Sequence, residues 1–255
     1  MSFEPTNDLE RSLMKAANDP AHRPQFYKDL VQSDIFIVQH GKRPPEKEGR
    51  VTLDEGTQIQ ITNIEFNGKP HIPIFSSLPR LQATITGEAA YLGINALEFL
   101  TMTLGTGLIL NPGYEYGKEI TSEEAGSIVD GSLWQPNERY VQQKETQVLI
   151  GQPKNYPNEL VEALTRLFKS KKQVKRAWVA HFFHPERDEK PHTLIAIDVS
   201  DGFEEISSEA GIVVRNIEIP DPPVDFLPIT GREGIEDYFV KDTKPFYTRR
   251  FLGLF

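Results

Sequence analysis

The chain of 255 residues contains no cysteine. That absence excludes disulfides, thiolate nucleophiles, iron–sulfur ligation and cysteine-based structural zinc, because each needs a thiolate sulfur. No stretch approaches the roughly 18 consecutive apolar residues of a membrane-spanning helix. The first residues, MSFEPTNDLERSL, hold no basic region followed by an apolar stretch of secretory length. The expectation is a cytoplasmic chain with no membrane partner. Positive charge is also short, with 28 Lys and Arg against 37 Asp and Glu for a formal net charge of -9. The long-range field then repels nucleic acid and anionic lipid, so nucleic acid is not an expected partner.

Complete catalytic motifs are missing as well. There is no GxSxG nucleophile elbow. The nearest approach to a phosphate loop is NPGYEYGKEIT, Asn111 to Thr121. There Gly113 and Gly117-Lys118 stand one residue too close, and Glu119 replaces the hydroxyl that reaches magnesium. GTGLIL, from Gly105 to Leu110, does not complete GxGxxG. The loop therefore reads as a turn, with Thr121 and Glu124 forming a capping box for the next helix.

His181, His184 and His192 lie beside Glu186, Asp188 and Glu189, which raises a histidine-carboxylate metal site. Positions three apart on a strand face opposite sides, and acids in a turn are ordinarily solvated. The reading is that no metal is held. Glu123-Glu124 and Glu204-Glu205 stand at helix starts, where acids favour the dipole. Lys169, Lys171, Lys172, Lys175 and Arg176 end the best helix, where cations complement its C-terminus. On these grounds no catalytic residue, cofactor or metal ligand is assigned.

What is present is an ordinary globular composition, 38% hydrophobic and 25% charged, able to fill a core. The length favours two modest domains. Asn7 and Glu10 have capping-box spacing ahead of a helix carrying Leu9, Leu13, Ala16 and Ala17. Pro24 opens a second helix with Phe26, Tyr27, Leu30 and Val31 on one face. Strands are expected at DIFIVQ, QIQIT and HIPIF, the last two joined through Asn67-Gly68, with Pro73 marking an edge. A polar segment, Gln135 to Gln147, separates this half from the next. There Leu160, Val161, Leu164, Leu167 and Phe168 give the clearest helical face. AWVAHFF and TLIAIDV read as neighbouring central strands, followed by helices near Ser200 and at REGIEDYF around a strand at DFLPI. The fold class is α+β, with two small domains, each a mixed sheet packed with helices, at residues 1–142 and 146–255.

The last stretch, KPFYTRRFLGLF, carries Phe246, Tyr247, Phe251, Leu252, Leu254 and Phe255 with Arg249 and Arg250. Large apolar side chains are worth about 1.5–3 kcal/mol each when buried, so they should be covered. Docking on the chain's own second domain, a homo-oligomer, or a groove on a protein partner would each do this, with the two arginines as a charged rim. These eight residues form the candidate interaction surface.

Four stretches together resemble the bacterial SseB family: LMKAANDPAHRPQFYKDL, LTMTLGTGLILNPGYEYGKEI, LTRLFKSKKQVKRA and KPFYTRR. The resemblance implies an amino-terminal and a carboxy-terminal SseB-type domain in one cytoplasmic protein, and the family name implies a link to enhanced serine sensitivity. It implies no reaction. A sulfurtransferase of the rhodanese type is excluded, because its nucleophile is a cysteine. The function expected is that of a non-catalytic binding or adaptor protein. The alternative is a ligand sensor or enzyme of serine or sulfur amino-acid metabolism.

Overall fold

The computed structural model describes residues 3–40, 60–86, 89–135, 147–232 and 234–249. The chain divides into two compact units, Met1–Asn18 with Gln25–Leu133, and Asp19–Pro24 with Trp134–Phe255. The boundary expected between residues 142 and 146 falls outside the described residues, and so does Ile59 of QIQIT. The architecture is α+β, with an antiparallel and a mixed sheet in the first unit and one mixed sheet in the second.

In the first unit, α1 (Asp8–Asn18) begins where the Asn7 side chain accepts the Glu10 N–H at 2.8 Å. It buries Leu9 and Leu13, while α2 (Arg23–Gln32) buries Phe26, Tyr27 and Leu30. Strand β1 (Asp34–His40) lies between β2 (Gln60–Ile61) and β5 (Ala90–Asn95). A second sheet runs in the order β3 (Ile64–Phe66), β4 (Lys69–Ile74), β6 (Gly107–Leu110), β7 (Lys118–Ile120). Helices α3 (Leu78–Thr84), α4 (Ala96–Met102) and α5 (Ser122–Val129) complete the unit. A bridge from Phe36 to Phe75 links its two sheets.

Two sequence expectations need correction here. The turn at Asn67 and Gly68 is a hairpin turn, with φ of 50° and 73° as a mirror-image two-residue turn requires. It joins β4 to β3, however, and QIQIT instead pairs with β1 through β2. Pro73 sits in an interior strand, not at an edge. Alternation explains how: Phe75 bonds Phe36, so the Pro73 nitrogen faces the same way, beyond the end of β3, whose last partner is His71. No ladder bond is lost.

The NPGYEYG loop turns the chain and closes a buried charge. Asn111 is fully buried at φ 52°. Its Oδ1 accepts the Ser76 N–H at 2.9 Å, and its Nδ2 donates to Ser76 Oγ at 2.9 Å. A Cβ on Gly117 would meet the Asn111 carbonyl oxygen at 2.9 Å, so only glycine lets the chain pass. Ser76 Oγ in turn donates to Glu10 Oε1 at 2.7 Å. Glu10, with no exposed side-chain surface, also accepts from Arg80 Nε (2.7 Å) and Nη2 (2.9 Å), Ser77 Oγ (3.0 Å) and the Thr6 N–H (2.7 Å). The Arg80 guanidinium lies under the Phe3 ring at 3.5 Å and the Tyr114 ring at 5.0 Å, and Tyr114 donates to the Arg80 carbonyl at 2.9 Å.

Burial alone would raise the Glu10 pKa, but bonds from Arg80, Thr6, Ser76 and Ser77 outweigh it and hold it at about 2, down from 4.5. A carboxylate depressed this far contributes about 3 kcal/mol of stability above its unfolded pKa of 4.5. That contribution is lost as pH falls from 4.5 toward 2. Urea unfolding across this range should show the loss in the native chain and a flatter profile in Glu10→Gln. At neutral pH, Arg80→Met should cost about 3–5 kcal/mol, because it strands a buried charge.

In the second unit, β9 (Val174–Phe183) and β10 (His192–Val199) form the central antiparallel pair. Strand β11 (Val224–Pro228) lies parallel to β10, while β8 (Leu149–Gly151) and β12 (Tyr247–Thr248) share the far edge of β9. The period of two sends Val179, Ile195 and Ile197 to one face, against Leu164 and Phe168 of α6 (Asn158–Ser170) and Ile206 and Ala210 of α7 (Phe203–Val214). Trp178, Phe182 and Leu194 face the other side and meet Phe239, in the turn following α8 (Ile235–Asp237).

Candidate functional site

The described part of the candidate interaction surface is Phe246, Tyr247 and Arg249; Arg250, Phe251, Leu252, Leu254 and Phe255 lie outside the described residues. Tyr247 and Thr248 add a short strand to the edge of β9, opposite Ala177 and Arg176. The Phe246 and Arg249 N–H groups donate to the Ala177 and Lys175 carbonyls at 2.9 and 2.8 Å. Phe246 stacks on Phe168 at 6.4 Å, and Tyr247, 6% exposed, donates its hydroxyl to the Phe168 carbonyl at 3.1 Å.

Arg249 finishes α6. A helix leaves its last carbonyls without intrahelical partners, and its C-terminus favours a cation. The Arg249 guanidinium donates to the Phe168 carbonyl at 3.3 Å, to the Lys171 carbonyl and, through Nε, to the Val174 carbonyl at 3.0 Å. It therefore points into its own unit instead of standing as a rim. A strand of two residues carries no periodicity, so the pairing has no signal in the sequence beyond aromatic and β-branched residues.

Two members of the basic cluster are drawn into the same unit, while Lys169, Lys172 and Lys175 are exposed. Lys171 pairs with Glu209, whose side chain is 3% exposed. Arg176 holds Asp198 Oδ2 through Nε (3.0 Å) and Nη2 (2.9 Å) and lies over the Trp178 ring at 5.0 Å. Beside this pair a depression of about 540 Å³ opens at the carboxyl ends of β10 and β11, lined by Lys175, Ser200, Asp201, Thr230 and Val240 among others. Strand ends of this kind are where sheets with parallel strands place ligands.

The histidines part company. His192, 3% exposed in its side chain, lies between Asp225 Oδ2 at 3.0 Å from Nε2 and Asp188 Oδ2 at 3.5 Å from Nδ1. His181 faces Asp221 at 3.6 Å. Asp188 does not behave as a solvated turn residue: it accepts the His184 N–H at 2.8 Å and pairs with Arg187 at 2.5 Å. Burial alone would raise its pKa, but bonds from Arg187 and the His184 N–H lower it overall. Among the described residues no group of three or more His, Asp or Glu has a metal-holding arrangement.

Two further constellations were not foreseen. Glu236 accepts the N–H groups of Thr230, Gly231 and Arg232 at 2.7, 2.7 and 3.2 Å, so a nest of amides suited to an anion is filled by the chain's own carboxylate. In the first unit His71 reaches across Gly107 to Glu119 at 3.1 Å, and a Cβ on that glycine would lie 2.6 Å from the ring. Of the Thr121–Glu124 capping box only half forms. Thr121 accepts the Glu124 N–H at 3.1 Å, while the carboxylate accepts from Tyr27 (2.5 Å) and Lys118 (2.9 Å). The paired acids Glu123-Glu124 and Glu204-Glu205 occupy the first turns of α5 and α7.

Replacing Arg249 with alanine should lower stability by about 1.5–3 kcal/mol, since charge-assisted bonds to helix-end carbonyls are lost. Tyr247→Phe should lower it by about 1 kcal/mol through the single hydroxyl bond. Urea unfolding of the full chain measures both.

Comparison with known proteins places these observations in a family. Residues 9–125 match the SseB protein N-terminal domain, and residues 142–249 match the SseB protein C-terminal domain. Protein SseB of Escherichia coli (strain K12) is 31% identical over 252 residues, covering 98% of this chain and 95% of that protein. Protein SseB of Shigella flexneri matches at the same 31% identity and coverage. No solved structure matches. With both family domains matched in order along the chain, this protein belongs to the SseB family.

Proposed function

We propose that the chain is a non-catalytic binding protein, an adaptor working in the cytoplasm through protein contacts, and that Arg250–Phe255 is its contact element. The observation that carries this is the anchor at Phe246–Arg249. Main-chain pairing with β9 and the Arg249 bonds to the end of α6 and the start of β9 fix the chain at that point. Phe251, Leu252, Leu254 and Phe255 follow directly on it in sequence. Four large apolar side chains directly after a firm anchor in the sequence are the kind of short apolar motif that a partner groove takes up. A homo-oligomer is one form of that contact. The link to serine sensitivity rests on the family name.

A second line of support is what the buried acids and imidazoles do. Glu10, Glu236 and His192 each bond to groups of their own unit, so these side chains hold the fold. The depression beside Lys175 favours the second reading, a sensor of a small polar ligand in serine or sulfur amino-acid metabolism.

Deleting residues 250–255 separates the outcomes. The adaptor reading expects the deletion to abolish capture of a recurrent protein partner or to dissociate an oligomer in light scattering, with urea stability within about 0.5 kcal/mol of the full chain. Unchanged partners and mass, or a large loss of stability at constant mass, would overturn it.

A further inference from the structure

A six-residue piece of the amino-terminal half, Asp19–Pro24, packs as part of the second unit. Its seat lies between α6 and α7. Asp19 is extended, at φ -147° and ψ 114°, and caps the short turn Pro20–His22 by accepting the Ala21 N–H at 3.0 Å. The same Oδ1 accepts from Arg166 Nε of α6 at 2.9 Å. Four residues on, Arg23 donates to the Val213 carbonyl at 3.1 Å and to the Arg215 carbonyl, at the C-terminal end of α7. Between these two charges Ala21 packs against the core shared by both helices.

The segment has the properties of a ligand. Its shape is set locally, by an aspartate cap and a proline at the first turn position, so little entropy is lost when it seats. Its recognition is coded at both ends, an acid for Arg166 and a cation for the carbonyl end of α7. Its middle is a small side chain that fits a shallow apolar floor.

We propose that the α6–α7 groove is a peptide-recognition site, occupied in cis by Asp19–Pro24, and that its partner is a protein presenting an Asp-Pro turn with an arginine four residues after the aspartate. The cis segment acts as a tethered competitor at high effective concentration, so a partner engages when that segment is displaced. This proposal does not rest on the carboxy-terminal contact, and either can fail without the other.

The test uses the full chain and a fluorescent peptide of its own residues 17–26, ANDPAHRPQF, followed by anisotropy at low salt. The wild-type chain should bind weakly, because its groove is filled. A chain carrying Asp19→Ala and Arg23→Ala should bind at least about tenfold more tightly, and adding Arg166→Glu should reverse the gain. A charge swap guards against a variant that fails to fold: the single surface change Arg166→Asp should prefer a peptide with Asp19→Arg over the natural one. A cooperatively folding variant that takes up no peptide, binding indifferent to residue 166, or a variant that dimerises instead, indicating exchange between copies, would each overturn the proposal.

Discussion

A charge removed from water must find its partners inside the fold, and this constraint governs how both units are built. In the first unit Glu10 sits with no exposed side-chain surface, and satisfying its two oxygens draws together the start of α1, the Ser76-Ser77 corner and Arg80 of α3. Arg80 then needs cover, which Phe3 and Tyr114 supply. Tyr114 arrives only because the loop after β6 turns back at Asn111 and passes through Gly117. The glycine-bearing loop is thus a device for closing a buried ion pair, not for holding phosphate. The second unit repeats the principle with Glu236 in its nest of amides and Glu209 against Lys171.

How much of this is visible in the sequence depends on how local the cause is. Helices α1, α2 and α6 follow from apolar positions at helical spacing, and β9 and β10 from apolar runs, because those signals lie within one element. The Asn67-Gly68 turn is equally local, yet it does not reveal which strand lies on its other side. QIQIT resembles β3 in pattern, and the choice between them is made by distant pairing with β1. Pro73 misleads for a related reason: the rule about edges applies at the position where a ladder bond is needed, and β3 ends before it. Arg80, within LPRLQ, has the look of a surface residue. Asp19–Pro24 reads as a break between helices, since nothing nearby announces Arg166 or the end of α7 as its partners.

The candidate interaction surface shows the same limit. Its apolar content is plain in KPFYTRRFLGLF, and so is the cost of leaving it in water. The part played by Arg249 is not, because the carbonyls it bonds belong to a helix end and the start of the next strand, 81 and 75 residues away in the chain. With that arginine bound to α6 and Tyr247 seated on Phe168, the first half of the stretch serves the fold, and the partner contact proposed above rests on the residues that follow it in the sequence.

The binding role is tested most directly by isolating the intact chain under gentle conditions from the cells that make it and weighing it by native mass spectrometry. The account predicts a stoichiometric complex with a protein, or with a second copy of the chain, and no small molecule retained. Recovery of the chain alone, carrying one small molecule per copy, would contradict it and make the depression beside Lys175 the working site.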